Sequence, residues 1–470
     1  MKNNSKYIFY FFPILVWAIV YFGFLFDGLY GQDAYEYFRY TESLKAFLTT
    51  GKNPGDYFWG VYYPIFGSIL SFITPNIPLA LQLISVFSLV ITSVYVDKII
   101  GVIYKENASQ NISFLLFTLS PIVLIHSVLA MSDLLSCCFI TIAYYRFLRF
   151  LETTKNKHFL IGIAFGCIAI FTRYASVVAL LPIGLVVLFR ILKNRNYKLL
   201  LFSIGILGII SIPHLVVRSQ NSLQFLNHQW LQSWNIFNLF QSDFNVAEDE
   251  SRNHFINLIY IGFQVLHPIF LFFGVVLIAF TLIKRKLYCN YYQKLLLLSI
   301  VLYALFLGGI PFQNKRFLLL TFPLVIVFLY PYLKSLLHTF SNQKLLFAIV
   351  FVIQISLGFY FGKKFYDRNL LEKKVSKEMK QYEGKILYVF DIDIALQGRK
   401  VVFNYKSLWI TKYPTFEKNA LVLIDEKQIV KQWQGKNPLL NWENIKNNYQ
   451  LKKLESFSGD FNLYRIEGKK

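Results

Sequence analysis

The residues of this chain best suited to chemistry are two acids and two arginines at the ends of apolar stretches: Asp33, Asp133, Arg173 and Arg316. Asp33 follows a run of 20 residues, 7–26, that contains no charged side chain. Ionisable side chains next to apolar spans are costly to bury, so they tend to mark function. A carboxylate can take a proton from an attacking hydroxyl, and the planar fork of arginine fits a phosphate. The set therefore predicts a site that handles a hydroxyl and a phosphate.

Three further charged residues, Glu36, Arg39 and Lys315, lie close in sequence and join the set as substrate-binding candidates. Simpler structural roles stay open for several members. Asp133 is placed to cap the N-terminus of a helix, where its charge favours the dipole. The arginines at the ends of apolar spans are placed to reach lipid headgroups, and Glu36 suits a solvated helix face.

Composition defines the class of protein. The chain has 470 residues, 55% of them hydrophobic and 16% charged, and its mean hydropathy is +0.45. Soluble domains carry about 25% charged residues, so the composition indicates a polytopic membrane protein. The net charge of +22 comes from lysines and arginines at the ends of apolar runs. That is a topology signal, and it excludes nucleic acid as a partner. The four cysteines show neither a disulfide framework nor a zinc-binding spacing.

Hydropathy predicts eleven apolar helices, at 7–26, 77–97, 112–131, 133–149, 158–172, 174–190, 199–217, 256–283, 295–310, 317–333 and 344–362. We interpret the short fifth and sixth stretches as a hairpin around Arg173. Lysine and arginine concentrate in alternate connections, and such connections face the cytoplasm. A bacterial inner-membrane protein with a cytoplasmic N-terminus is therefore predicted. Asp33 and the C-terminal region then lie outside the cytoplasm.

Two regions complete the predicted organisation. The loop 27–76 contains two helices, 33–48 and 62–75, that we expect to lie at the membrane interface, since the second is too short to span. It belongs to a membrane domain, 1–362. Residues 363–470 change to short β-branched runs at 385–391, 400–405 and 420–425 and a closing antiparallel pair. They predict a small extracytoplasmic α/β accessory domain.

Six stretches occur in an order that can be compared with known families: GQDAYEYFRY, VYYPIFGSILSFI, MSDLL, GIAFGCIAIFTRYASVVALLP, NKRFLLLTFPLVIVFL and the C-terminal YQLKKLESFSGDFNLYRIEG. With this order the chain resembles the polytopic glycosyltransferases of the GT-C fold. Within that group it looks most like the bacterial relatives of the protein O-mannosyltransferases and the lipid A aminoarabinose transferase. The resemblance implies an α-helical GT-C-like protein with about 11 membrane helices and a small C-terminal α/β domain.

The resemblance also implies a function. The donor would be a sugar on a polyprenyl phosphate, and the acceptor a lipid, glycan or protein surrounded by membrane lipids. Asp33 would be the general base of an inverting transfer, and Asp133 would orient the acceptor or a metal. Arg173 and Arg316 would contact the lipid phosphate. This chain has Asp33-Ala34 where an Asp-Glu pair is common in relatives, and its first loop lacks a DxD motif. No metal ligand is therefore assigned, and a divalent ion stays an open possibility.

Two other classes fit parts of the pattern. A polysaccharide polymerase or ligase would place arginines and a histidine in one late outer loop, and 218–255 offers Arg218, His228, Arg252 and His254. A transporter or flippase of lipid-linked sugars would often show two related halves and polar groups at mid-membrane. We find no internal repeat, and the polar groups gather at one face.

Overall fold

The computed structural model of the protein describes residues 5–55, 57–106, 110–218, 229–242, 244–246, 251–277, 279, 290–457 and 461–470. Its first part is a bundle of helices, numbered here in chain order: α1 Ser5–Ala18, which continues as a π-helical turn Ile19–Gly23, α2 Gly31–Thr50, α3 Tyr62–Leu70, α4 Ile77–Tyr104, α5 Gln110–Ser113, which continues as a π-helical turn Phe114–Thr118, α6 Pro121–Val128, α7 Asp133–Thr153, α8 Asn156–Thr172, α9 Ser176–Lys193, α10 Tyr197–Val217, α11 Gln229–Gln232, α12 Asn257–Gln264, α13 Pro268–Leu271, α14 Tyr291–Gly308, α15 Phe322–His338 and α16 Gln343–Met379.

The apolar helices match the predicted stretches. Among the described residues six helices are long and apolar enough to cross a membrane (α4, α7, α9, α10, α14 and α16), or seven if the bent pair Asn111–Thr118 and Pro121–Val128 is one span. Four shorter apolar helices, Phe9–Gly23, Asn156–Thr172, Asn257–Leu271 and Phe322–His338, fall in the remaining stretches. Most of the stretch 278–283 lies outside the described residues, and the number of crossings stays a prediction.

Helix α7 is the centre of the bundle. Nearly every side chain from Asp133 to Tyr144 is buried, against α4, α8 and α9. A helix that is apolar all round is expected in such a position. Helix α10 is the opposite case, because it buries only Leu199, Ser203 and His214 and presents large apolar side chains outward. In a membrane that outer face meets lipid.

The loop before α4 folds as two helices, as predicted. Helix α2 ends at Gly51, whose φ of +71° permits the left-handed turn. Helix α3 is shorter than expected and stops at Leu70. Helix α4 then begins with the Asn76 side chain accepting a hydrogen bond from the backbone N–H of Leu79 at 2.8 Å. We call the end of the bundle that carries α2 the site end.

The C-terminal region contains a five-stranded sheet flanked by helices: β4 Ile386–Val389, α17 Asp393–Gly398, β5 Asn404–Ser407, β6 Leu421–Asp425, α18 Glu426–Gln432, α19 Asn437–Asn448, β7 Tyr449–Ser456 and β8 Phe461–Lys469. The strand order is β5-β4-β6-β8-β7, with β4 parallel to β5 and β6, and β8 antiparallel to β6 and β7. The small α/β domain is thus confirmed. A second, smaller sheet joins β1 Phe244–Val246, β2 Ser251–Asn253 and β3 Phe312–Gln313, in the order β2-β1-β3.

Two details differ from the sequence-based expectations. The strand predicted at 400–405 begins only at Asn404, because Lys400 has a φ of +60° that a strand cannot contain. Helix α16 runs through the predicted domain boundary at 362/363 and ends at Met379. Beyond Gly362 it buries Phe365, Asn369 and Ser376 on one face. The division into 1–362 and 363–470 stays a prediction.

Gly60 provides a test of the packing at the site end. A Cβ atom there would lie 2.3 Å from the carbonyl oxygen of Thr172, at the end of α8. We expect Gly60→Ala to lower the free energy of unfolding by about 1–3 kcal/mol, because rigid backbone must move. Thermal unfolding in detergent measures the change. Gly205→Ala is the matched control, since a Cβ at Gly205 meets nothing within 4 Å. Equal loss in both variants would contradict the packing argument.

Candidate active site

Asp33 and Arg316 form the first ion pair of the site. Asp33 lies in the first turn of α2, where the helix dipole favours a carboxylate. Arg316 lies in the 3-10 turn Lys315–Leu320, whose start is capped by the Asn314 side chain, which accepts from the Arg316 backbone N–H at 3.1 Å. The Arg316 Nη2 atom donates to Asp33 Oδ2. The pair joins residues 283 positions apart in sequence.

Asp133 and Arg173 form the second ion pair. Asp133 is the first residue of α7, and Arg173 caps the C-terminal end of α8 in an extended conformation. The Arg173 Nη1 atom donates to Asp133 Oδ1. The side chain of Asp133 is only 1% exposed, so this is a buried pair. The hairpin of α8 and α9, predicted around Arg173, places the guanidinium at the site end.

The two pairs belong to one cluster. The guanidinium carbons of Arg173 and Arg316 each lie 5.9 Å from the ring centre of Phe317. Burial lowers the pKa of Arg316, but the charges of Asp33 and then Asp133 outweigh it, so the pKa is raised overall. The four ionisable residues that the sequence singled out therefore converge.

Tyr37 connects the acids through neutral groups. It lies one helical turn after Asp33, and its hydroxyl and that of Ser132, the residue before Asp133, are 2.6 Å apart. Burial raises the pKa of Tyr37 to about 12, and the carboxylates of Asp33 and Asp133 act in the same direction while Arg173 opposes them. The phenol therefore stays protonated at neutral pH.

Two polar atoms of the cluster lack a hydrogen-bond partner within the described part of the chain: Asp133 Oδ2 and Arg316 Nε, both fully buried. Leaving a buried polar group unpaired costs about 1–3 kcal/mol, and more for a charged one. A substrate hydroxyl could donate to Asp133 Oδ2, and an anionic oxygen could accept from Arg316 Nε. The arrangement thus has unused bonding capacity of the two kinds that the sequence predicted.

The other three candidates occupy less central positions. Arg39 Nε donates to Glu36 at 2.7 Å, so these two residues of α2 bind each other. The Arg39 side chain is 46% exposed. Lys315 is buried beside Arg316 at the start of the 3-10 turn. Their role in substrate binding stays a prediction.

Arg218 is a residue that the sequence assigned only to the polymerase alternative. It is 2% exposed at the end of α10, and its Nε, Nη1 and Nη2 atoms find no hydrogen-bond partner among the described residues. Its guanidinium carbon lies 5.5 Å from the centre of the Phe58 ring. Its position at the end of an apolar stretch was the only feature of the sequence that marked Arg218. His228, named with it, lies outside the described residues, and of the Arg252 side chain nothing is described.

The acids of the site are not arranged as the ligands of a metal ion. Across the described ranges, no group of three or more His, Cys, Asp or Glu side chains could hold a metal ion. Asp33 and Asp133 each have an arginine partner instead. We therefore assign no metal ligand.

Comparison with known structures defines the fold. The chain matches the crystal structure of ArnT from Cupriavidus metallidurans bound to undecaprenyl phosphate with a TM-score of 0.62 and 12% identity, over 99% of this chain and 98% of that one. The apo state of the same ArnT matches with a TM-score of 0.59 and 11% identity, over 96% and 97%. The fold is therefore that of the polytopic GT-C membrane glycosyltransferases, as the sequence resemblance indicated.

Further matches agree with this class. The apo oligosaccharyltransferase from Archaeoglobus fulgidus has a TM-score of 0.53 and 12% identity, over 98% of this chain and 74% of that one. A family model described as dolichyl-phosphate-mannose-protein mannosyltransferase matches residues 64–216. That segment includes Asp133 and Arg173. No curated protein sequence matches the chain.

The Asp133–Arg173 pair can be tested for energetic coupling. Removing one partner of a buried pair leaves an uncompensated charge and costs about 3–5 kcal/mol, so we expect Arg173→Met to destabilise the protein strongly. The double variant Asp133→Asn with Arg173→Met should recover most of the loss. Thermal unfolding of both single variants and the double variant completes the cycle. Additive losses would show that the two side chains are not coupled.

Proposed function

We propose that this protein is a membrane glycosyltransferase that moves a sugar from a polyprenyl phosphate to an acceptor hydroxyl. The observation that carries the proposal is the convergence of two acid–arginine pairs, Asp33–Arg316 and Asp133–Arg173, at one end of a GT-C bundle. The bound undecaprenyl phosphate of the ArnT neighbour supports a lipid-linked donor. The archaeal neighbour is an oligosaccharyltransferase, and the family model that matches residues 64–216 is described as a mannosyltransferase, which supports a transfer reaction.

Asp33 acts as the general base. Its carboxylate takes the proton of the acceptor hydroxyl, and the hydroxyl oxygen then attacks the anomeric carbon of the sugar. The bond from that carbon to the phosphate oxygen breaks on the opposite face, and its electron pair leaves with the lipid phosphate. One displacement of this kind inverts the configuration at the anomeric carbon. No acid is needed for the leaving group, because the phosphate departs as an anion.

Arginines stabilise the departing phosphate. Arg316 is shared between Asp33 and the donor, because one of its nitrogens binds the carboxylate and Nε remains available. Arg218 adds a buried guanidinium with three available nitrogens on the side of Phe58. A guanidinium in a dry site stabilises negative charge as it develops, and it needs little rearrangement at that moment.

Asp133 positions the acceptor and does not receive its proton. Its Oδ1 atom is committed to Arg173, while Oδ2 is buried and available for a substrate hydroxyl. Burial fixes this carboxylate at the start of α7, so it can hold the acceptor oxygen in line with the sugar. Tyr37 and Ser132 link it to the helix that carries Asp33.

The site is proposed to face away from the cytoplasm of a bacterial inner membrane, with the N-terminus inside and the sheet domain outside. The charge bias of the predicted connections supports this orientation. The acceptor is then an extracytoplasmic lipid, glycan or protein.

Deleting the gene should leave that acceptor unmodified and raise the amount of donor, as mass spectrometry of envelope glycans and lipid-linked sugars would show. Donor retained in the inner leaflet would instead indicate a flippase.

The role of Asp33 predicts the effect of Asp33→Asn. We expect normal membrane insertion and a loss of transfer of about two to four orders of magnitude, because the amide cannot accept the proton. Transfer of labelled sugar by the reconstituted protein measures it. Glu42→Gln is the matched control, because it is the same kind of change on α2 at a half-exposed side chain that pairs with Lys400 and not with the ion-pair cluster. Transfer by Asp33→Asn at the rate of the unchanged protein would exclude Asp33 as the base.

The role of Arg316 predicts a separate effect on the donor. We expect Arg316→Ala to weaken binding of polyprenyl phosphate by about 10–100-fold, since a charge-assisted hydrogen bond contributes roughly 1.5–3 kcal/mol. Acceptor affinity should change less. Calorimetric titration with each substrate separates the two. Arg149→Ala, which removes a guanidinium from the opposite end of α7, serves as control, and unchanged donor affinity in Arg316→Ala would refute the assignment.

A further inference from the structure

A cavity lies at the site end, between the membrane bundle and the C-terminal domain. Its volume is about 610 Å³. It is lined by the loop before α2, one face of α2, the start of α4, the outer half of α16 and the end of α17. Five of its lining residues are cationic: Lys45, Lys373, Lys377, Lys380 and Arg399. Asp27 is the acid that lines it.

This cavity is distinct from the candidate active site. Phe38 and Lys45 contribute the α2 face that lines it, and they lie seven residues, or about two helical turns, apart on the same face. Asp33 is five residues before Phe38, which is about 140° around the helix. Helix α2 therefore presents one face to the ion-pair cluster and another face to the cavity.

The positive charge of the cavity is only partly compensated. Asp27 binds Arg399 at 3.1 Å and Lys373 at 3.4 Å, so its single charge is shared by two cations. Lys377 and Lys380 are exposed and form no ion pair with any described residue. Lys45 donates to the carbonyl oxygen of Ser71 at 2.8 Å, a neutral acceptor. An anion in the cavity would relieve the repulsion among these like charges.

A buried hydroxyl points to the same ligand. Ser376 lines the cavity, is 4% exposed, and its Oγ atom has no hydrogen-bond partner among the described residues. It lies on α16 between Lys373 and Lys377. A hydroxyl without a partner in such a position has an unused donor, and an anionic oxygen is an acceptor that would satisfy it.

The surroundings favour an amphiphile over a soluble anion. The end of α3 and the turn after it carry exposed apolar side chains: Ile69, Phe72 and Ile73 are 56%, 51% and 83% exposed. Lys45 Nζ lies 5.2 Å from the centre of the Phe72 ring. An exposed apolar tip next to basic side chains is typical of a surface that meets the headgroup and upper acyl region of a membrane.

We propose that this cavity binds the phosphate headgroup of an anionic membrane lipid, held by Lys377, Lys380 and the Ser376 hydroxyl. The acyl chains would follow the apolar tip at Phe72 and Ile73 into the bilayer. Because Arg399 belongs to the C-terminal domain and Lys45 to α2, the lipid would join both to α16. The proposal does not rest on glycosyl transfer.

The first test uses the full chain in nanodiscs that contain phosphatidylglycerol or phosphatidylcholine. Native mass spectrometry measures the lipid retained. We expect Lys377→Gln with Lys380→Gln to reduce retained phosphatidylglycerol by about tenfold, with phosphatidylcholine unchanged. Lys363→Gln with Lys374→Gln removes two charges from the same helix outside the cavity and should have no effect. Equal retention of phosphatidylglycerol in the two double variants would overturn the proposal.

Ser376→Ala provides a second test, because its effect on thermal stability should have opposite signs with and without the bound lipid. Without a ligand, removing an unpaired buried hydroxyl should leave thermal stability equal or raise it. With phosphatidylglycerol bound, the same change removes a hydrogen bond and should lower stability. The same effect in both lipids would contradict the assigned contact. Inorganic phosphate at millimolar concentration should not raise the thermal stability in phosphatidylcholine discs as much as phosphatidylglycerol does. An equal rise would refute the lipid as the ligand and indicate a soluble phosphate instead.

Discussion

Pairing of buried charges shapes the site end of the molecule, and Arg218 is the exception within the described part of the chain. Asp133 is almost fully buried at the start of the central helix, so Arg173 must lie at the end of α8 to neutralise it. Arg316 is held between Asp33 and the Asp133 pair by the same requirement. The loops that supply these arginines are thus fixed by electrostatics as much as by packing. The Phe317 ring packs near both guanidinium groups, with its centre 5.9 Å from each guanidinium carbon.

Much of this arrangement could be predicted from the sequence, because it depends on local signals. Apolar stretches predicted the helices, and Asp33, Asp133, Arg173 and Arg316 stood out as charges next to apolar runs. The sidedness inferred from the basic residues stays a prediction. Their pairing could not be predicted, since each acid had two arginines available and no local pattern selects between them. Arg218 carried the same signal as the other arginines, but its lack of a partner is a property of the folded chain. The prediction that a strand begins at residue 400 was wrong, because the composition of the sequence does not reveal the positive φ of Lys400.

A polar network connects helix α2, which carries Asp33, to the C-terminal domain. Asp27 binds Arg399, whose Nε atom also donates to the Tyr35 hydroxyl at 2.8 Å. Tyr35 in turn donates to Glu372 at 2.9 Å. Burial raises the pKa of Tyr35 well above its ordinary value, and Glu372 adds to that effect, so the phenol stays a donor. Helix α2 is therefore held on one face by this network and on another by the Asp33–Arg316 pair, and the orientation of Asp33 depends on both.

The unbroken course of α16 has a mechanical consequence. Its 37 residues form a rod of about 55 Å that begins among the apolar helices and ends beside the sheet. A flexible linker would let a peripheral module drift while the membrane part stayed still. A continuous rod instead transmits tilt, so any force applied to the sheet reaches the lipid-facing half of the same helix. The tilt of the sheet relative to the membrane bundle is thereby set by one continuous helix.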